Sequence, residues 1–260
     1  MSPIEVVGTA LWTLGYDSVA AWLAGTPDPG VTSPAAAVAG SRVKRGTSLL
    51  TRMQIEVVAE AGRAAGLDLA TVATVFGSAG GETRIALMQM DMMREGDGIV
   101  SPARFKNSVH NTGSGVFCIA TGNRGFTTAI AAGRATLAAV LLEAFALLAD
   151  GHDDVIAVVA DEPLPPPLDR FGRYDPLAIA FALRLPKPAD GKGLSTLTDL
   201  NTGPTVPPGA SVFEPPPALR HNPVMPALSL LRAVHDGPPG PVVLTAGDGP
   251  GAHVIVTPLS

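Results

Sequence analysis

The chain has one cysteine, Cys118, in the stretch NTGSGVFCIATGNRGFTTAIAAGRAT that runs from Asn111 to Thr136. A thiol there could attack an acyl thioester if a helix N-terminus, a cation or a histidine lowered its pKa. Its neighbours Val116, Phe117 and Ile119 are apolar, and burial among them works the other way, toward a packing role. Ser114 with His110 is the other nucleophile–base combination within the stretch. The histidines His110, His152, His221, His235 and His253 have no metal-ligand spacing, and GxSxG, HExxH and CxxC are absent. One cysteine excludes an internal disulfide and any multi-cysteine metal site. No metal and no cofactor are expected.

TVATVFGSAGGE (residues 71–82) has the form of a strand, a glycine turn and a helix start. Such a turn can bring backbone amides to a phosphate at a helix N-terminus. Its spacing fits neither GxGxxG nor a Walker loop, and Glu82 would put negative charge where the phosphate belongs. A tight turn against neighbouring backbone is the better reading. Met88, Met90, Met92 and Met93 follow on the next helix. Methionines in such a cluster serve ordinary core packing, a lined tunnel or a subunit surface.

The elements that position these residues alternate between strand and helix. Strands are expected at IEVVGTALW, at 71–76, at DDVIAVVAD and at 177–185. Helices are expected at YDSVAAWLAG, capped by Asp17 or Ser18 and stopped by Gly25, at 48–66, at TRIALMQMDMMRE and at 134–150. GVFCIATG fits helix or strand, and FTTAIAA is β-like. The alternation points to an α/β fold. DDVIAVVAD, apolar on both faces, reads as a central strand of parallel-sheet type. Residues 26–47 and 186–222 are rich in Pro, Gly, Ser and Thr and read as irregular. PVMPALSLLRAVHDG contains a short helix, and PVVLTAGDGPGAHVIVTP reads as a β-hairpin turning at AGDGPG.

With 260 residues the chain can bury a sizeable core. Charge is sparse, the net is −5, and no basic run supports nucleic acid or an anionic membrane as a partner. The N-terminal residues lack a signal-peptide pattern. The longest apolar run, 137–149, is too short to cross a bilayer and contains Glu143. A soluble cytoplasmic protein is expected.

Taken together, Ser101-Pro102, Asn111, Gly115, Ile119, Gly122 and Arg124-Gly125 resemble the "SP…N…G…I…GLRGP…TAC" progression of β-ketoacyl synthases, at matching spacing. FTTAIAA, the helix at 134–150, DGHDDVIAVVADE and the GSAGGE turn fall in the family's order. The wording of SVHNTGSG and ADEPLPPP is similar to the ketoacyl-synthase-like chain length factors of aryl polyene and related polyketide clusters. The resemblance implies a thiolase-like half fold, one mixed sheet flanked by helices. It covers residues 1–185; residues 186–260 form a Pro-rich extension with a short helix and a terminal β-hairpin, packed on the same domain.

The family's nucleophilic cysteine opens the long helix, where the helix dipole lowers its pKa. That position is Arg134 here, and Phe126 replaces the proline that usually follows the "RG". The second half that supplies two histidines and a lysine is missing, and no βαβ pattern is visible after residue 185. The resemblance therefore implies a non-catalytic subunit that pairs with a full-length ketoacyl synthase, with an acyl carrier protein as a further candidate partner. Glu82, Ile85, Met88, Gln89 and Met92 would line the acyl tunnel. Phe105, Asn111, Phe126, Thr127, Thr128 and Ile130 would form the dimer interface. The alternatives are a small condensing or acyl-transfer enzyme using Cys118, and a homodimer that binds acyl groups or carrier protein.

Overall fold

The computed structural model describes residues 3–96, 98, 102–166, 168–169, 172–186, 193–203, 205–210, 213–247 and 251–259. In chain order the elements begin with β1 (Ile4–Thr13), α1 (Val19–Ala24), α2 (Ser41–Lys44), α3 (Leu49–Ala64) and β2 (Ala73–Gly77). They continue with α4 (Thr83–Glu95), α5 (Pro102–Phe105), α6 (Thr112–Thr121), β3 (Thr127–Ile130) and α7 (Thr136–Ala149). The remainder are β4 (Asp154–Asp161), β5 (Leu177–Arg184), β6 (Ser195–Asn201), α8 (Pro226–His235), β7 (Gly240–Val243) and β8 (His253–Pro258).

One mixed sheet runs β3-β2-β4-β5-β1-β6-β8-β7. β2 lies parallel to β3 and β4, and the remaining neighbours are antiparallel. β4 is thus central and apolar on both faces between its terminal aspartates, as its sequence suggests, but parallel on one side only. Its side chains alternate between two cores. Val155, Ala157 and Val159 pack with α7 and α8, while Ile156, Val158 and Ala160 pack with α3 and α6. On the α3 side the sheet is paved with Ala178, Ala180 and Ala182, so the helix comes close. A Cβ on Gly8 would lie 2.6 Å from the Ala61 carbonyl oxygen, so a larger residue there must push α3 away.

Local chemistry sets the helix ends. Ser48 caps α3 by accepting from the Thr51 amide (2.9 Å), and Ser18 caps α1 through the Ala21 amide (3.3 Å). Gly25 ends α1 in the left-handed conformation. GVFCIATG is helical, within α6. The loop at 26–47 contains the single turn of α2. The long apolar helix starts two residues later than its sequence pattern, at Thr136, after a 3-10 turn at Gly133–Ala135.

The last third departs most from expectation. The stretch 186–222 is not irregular throughout: Ser195–Asn201 forms β6, paired with β1 on one side and β8 on the other. A βαβ crossover also exists there. β6 and β7 run in the same direction, α8 joins them, and β8 inserts between them. STLTDLN escapes a pattern reading because it is short and polar, with only Ser195 and Leu197 turned inward. The β7–β8 hairpin is present, closed by the Leu244 amide on the Ala252 carbonyl (2.8 Å). Its turn residues 248–250, Ser101 of the Ser-Pro pair, and parts of 186–222 lie outside the described residues. No helix among the described residues is long and apolar enough to cross a membrane.

Candidate functional site

The glycine turn after β2 is built around a carboxylate from its neighbour strand. Asp161, at the end of β4, accepts from the Ser78 hydroxyl (2.8 Å) and from the amides of Ala79 (2.9 Å) and Gly80 (2.8 Å). The amides of the turn therefore hold the chain's own carboxyl in place of a phosphate. Burial pushes the Asp161 carboxyl up to about 6, although all three donors pull it back.

The turn delivers Glu82 to the start of α4. Glu82 is buried, and its Oε1 accepts from the hydroxyls of Ser48 (2.8 Å) and Thr51 (2.6 Å), tying α4 to α3. Burial raises its pKa, and those two hydroxyls counteract. Glu162, the next residue after Asp161, is also buried; burial first, and the nearby Glu82 second, push it up to about 7. The Tyr174 hydroxyl donates to the Glu162 carbonyl (3.0 Å) and holds the chain after β4 in place.

Of the residues expected to line a tunnel, Ile85 and Met88 share a cavity of about 460 Å³ with Leu14, Ser48, Arg52 and Glu162. Gln89 faces the same side as Glu82 and is the only buried residue of α4. Met92 is exposed, with the Arg104 guanidinium on its sulfur. The methionines do not serve the core, since Met88, Met90, Met92 and Met93 are all exposed.

The residues expected at an interface are spread over β3, the residue before it, α5 and the start of α6. β3 is an edge strand, half-buried, with Thr127, Thr128 and Ile130 in register with Thr74, Val75 and Gly77 of β2. Its other edge has no strand partner among the described residues. Phe126, just before it, is exposed and touches the His152 ring. Asn111 caps α6 in position, and its carbonyl accepts from Ser114 Oγ (2.9 Å) and the Gly115 amide (3.0 Å). The most exposed large apolar side chains are Ile119 (72% exposed), Met90 (62%) and Phe105 (60%).

Arg134 sits in the turn that opens α7, exposed, with its carbonyl accepting from the Ala246 amide (3.1 Å). Its guanidinium packs against Gly247, where φ is +60° and a Cβ would collide with it. Arg134, Arg220, His221, Asn222 and Ala246 line a cavity of about 210 Å³. His221, one of the histidines without metal-ligand spacing, shares this cavity with Arg134, a placement that no local pattern marks.

Cys118 lies half-buried on α6, and burial pushes its thiol up, away from thiolate chemistry. The Ser114 hydroxyl is committed to the Asn111 carbonyl, and His110 stands beside Gly81 instead. Among the described residues neither nucleophile has a hydrogen-bonded base. Among the described residues no group of three or more His, Cys, Asp or Glu could hold a metal ion.

A family model, "Beta-ketoacyl synthase, N-terminal domain", matches residues 22–210. No curated protein sequence matches the chain significantly. Among solved structures, the chain is similar to one in the complex of the ketosynthase ApeO with its chain length factor ApeC from Xenorhabdus doucetiae. The TM-score is 0.69 at 17% identity, covering 99% of this chain and 100% of that one. The ishigamide ketosynthase/chain length factor gives 0.60 at 15% identity, over 76% of this chain and 66% of that one. AntDE:AntF, a type II polyketide acyl-carrier protein in complex with its ketosynthase, gives 0.64 at 14% identity, over 77% and 68%. At such identities the likeness is one of fold.

Proposed function

The chain belongs to the family of β-ketoacyl synthase N-terminal domains, and from that premise we propose that it is a non-catalytic, chain length factor-like subunit. It pairs with a full-length ketoacyl synthase in the cytoplasm and shapes that enzyme's acyl pocket during polyketide or fatty acid-type synthesis, aryl polyenes included. An acyl carrier protein delivers the chain to the complex. The ketosynthase–chain length factor and ketosynthase–carrier complexes among its structural neighbours support this reading.

The observation that carries it is the set of exposed apolar side chains on α4, at Phe105 and on α6, together with the open edge of strand β3. Burying Met90 or Ile119 fully would contribute about 1.5–3 kcal/mol each. An open strand edge is a template for another strand. A partner strand against Thr128 and Ile130 would continue the sheet across the interface, with Phe105, Asn111, Phe126 and Thr127 around it. On the far side of α4, Glu82, Ile85, Met88, Gln89 and Met92 would limit the acyl chain by steric exclusion. Arg134 stands where the family has its nucleophile, and arginine cannot form an acyl-enzyme.

The test is co-expression with full-length ketoacyl synthases from the same genome, followed by the native mass of the purified complex. A one-to-one heterodimer is expected. A stable homodimer that never exchanges with a synthase would reject the assignment.

A further inference from the structure

The cavity beside the turn that opens α7 carries one sign of charge. Two guanidiniums, Arg134 and Arg220, and the His221 imidazole line one space of about 210 Å³, with no acidic side chain among the described lining residues. All three residues are exposed, so a solute can reach them. One acid pairs with the cluster: Glu214 Oε1 lies 3.2 Å from Arg220 Nη2, but its side chain is 85% exposed and solvent screens the pair. The Asp161 carboxyl is turned to the glycine turn, and Asp175 lines a different cavity. The walls are fixed by buried contacts. Asn222 is fully buried; its Nδ2 donates to the Asp175 carbonyl (3.0 Å) and its Oδ1 accepts from the Val224 amide (3.0 Å), which holds the turn at residues 220–222. The His221 ring packs on Gly172, and Arg134 is held by the Ala246 amide on its carbonyl and by Gly247 against its guanidinium. Cations positioned in this way lower the ordering cost of binding.

The chemistry of the lining narrows the occupant. Like charges gathered around one small space repel, and an anion placed between them relieves the repulsion. A cation meets two guanidiniums, and a hydrocarbon strips water from them without return. Among anions, a carboxylate presents two oxygens along one edge, which suits a single guanidinium fork. A phosphate presents oxygens in several directions and carries a second negative charge, so two guanidiniums and an imidazole can address it together. The volume suits a small group, below the about 300–1,000 Å³ of sites that enclose a drug-sized ligand. We propose that this cavity binds a phosphate group, free or at the end of a phosphate monoester, through Arg134, Arg220 and His221. The site stands apart from the chain length factor reading, since it needs neither a synthase partner nor an acyl chain.

Calorimetric titration of the full chain at low salt tests this, with inorganic phosphate, methyl phosphate and acetate as probes. Phosphate or its monoester should bind at least about tenfold more tightly than acetate. The tighter of the two phosphates names the source, the free ion or an ester end. Arg134→Gln and Arg220→Gln should each weaken phosphate binding about tenfold. Should Arg134→Gln disturb the fold by circular dichroism, Arg220→Gln, on an exposed turn, carries the test alone. Arg94→Gln removes an exposed charge from α4, which does not line the cavity, and should leave the affinity unchanged. No binding with phosphate at about 10 mM, acetate bound as tightly as phosphate, an unchanged affinity in Arg220→Gln, or an equal loss in Arg94→Gln would overturn the proposal.

Discussion

α3 and α4 are neighbouring amphipathic helices joined by the same carboxylate, yet one is finished and the other is not. α3 buries ten of its 16 residues against β1, β4, β5 and α6, while α4 buries only Gln89. Both carry apolar residues at helical spacing. The periodicity specifies that a face must be covered, not what covers it. In α3 the cover is this chain's own sheet. In α4 the methionines stay in solvent, which is how a helix looks when its cover belongs to another molecule.

Mutations separate the two helices. Met53, fully buried in α3, should cost about 2–5 kcal/mol of unfolding free energy when changed to Ala. Met90→Ala should stay within about 0.5 kcal/mol in the isolated chain, both read by urea denaturation. Equal losses would mean that α4 is part of the finished core. A charge on the edge strand comes next: Thr128→Asp should weaken the heterodimer at least ~100-fold, about 3 kcal/mol, with the isolated chain little changed. Normal assembly by native mass would place the interface elsewhere.

The seam between the helices titrates. The Glu162 carboxyl rises to about 7 by burial beside Glu82, so the folded state binds its proton more tightly than the unfolded chain does. Its contribution is complete below about pH 4.5 and is lost as pH rises through 7; Asp161, up to about 6, acts in the same direction. Arg52 and Arg84 oppose the shift without cancelling it. Stability should therefore fall by about 1–3 kcal/mol between pH 4.5 and pH 8, and Glu162→Gln should remove about half of that slope, Asp161 keeping the rest. A flat wild-type profile would show that the seam is wetter than its geometry indicates. The smallest effect is expected at Arg134. Arg134→Cys should give no measurable decarboxylation of a malonyl thioester, and turnover would sink the non-catalytic reading.

Much of this was legible in the residues. The bounds of α4 follow its apolar spacing, and β4 declares itself as a run apolar on both faces. What was hidden depends on contacts far apart in sequence. β6 is polar, and only β1 and β8 make it a strand. His221 comes from the last third of the chain to a turn at residue 134. Glu82 and Glu162, 80 positions apart, come close enough for one carboxyl to raise the other, a meeting that no linear pattern records.

The placement of β1 has a consequence for how the chain is made. Its partners lie far downstream: Thr13 pairs with Leu177, and Ile4 with Leu197. At about 5–20 residues per second, a ribosome takes roughly ten to forty seconds to deliver them. For that interval an apolar ten-residue strand has no place to go, and the sheet cannot close around its centre. Synthesis of this protein should lean on holding factors that shield the nascent strand until the distant segments emerge.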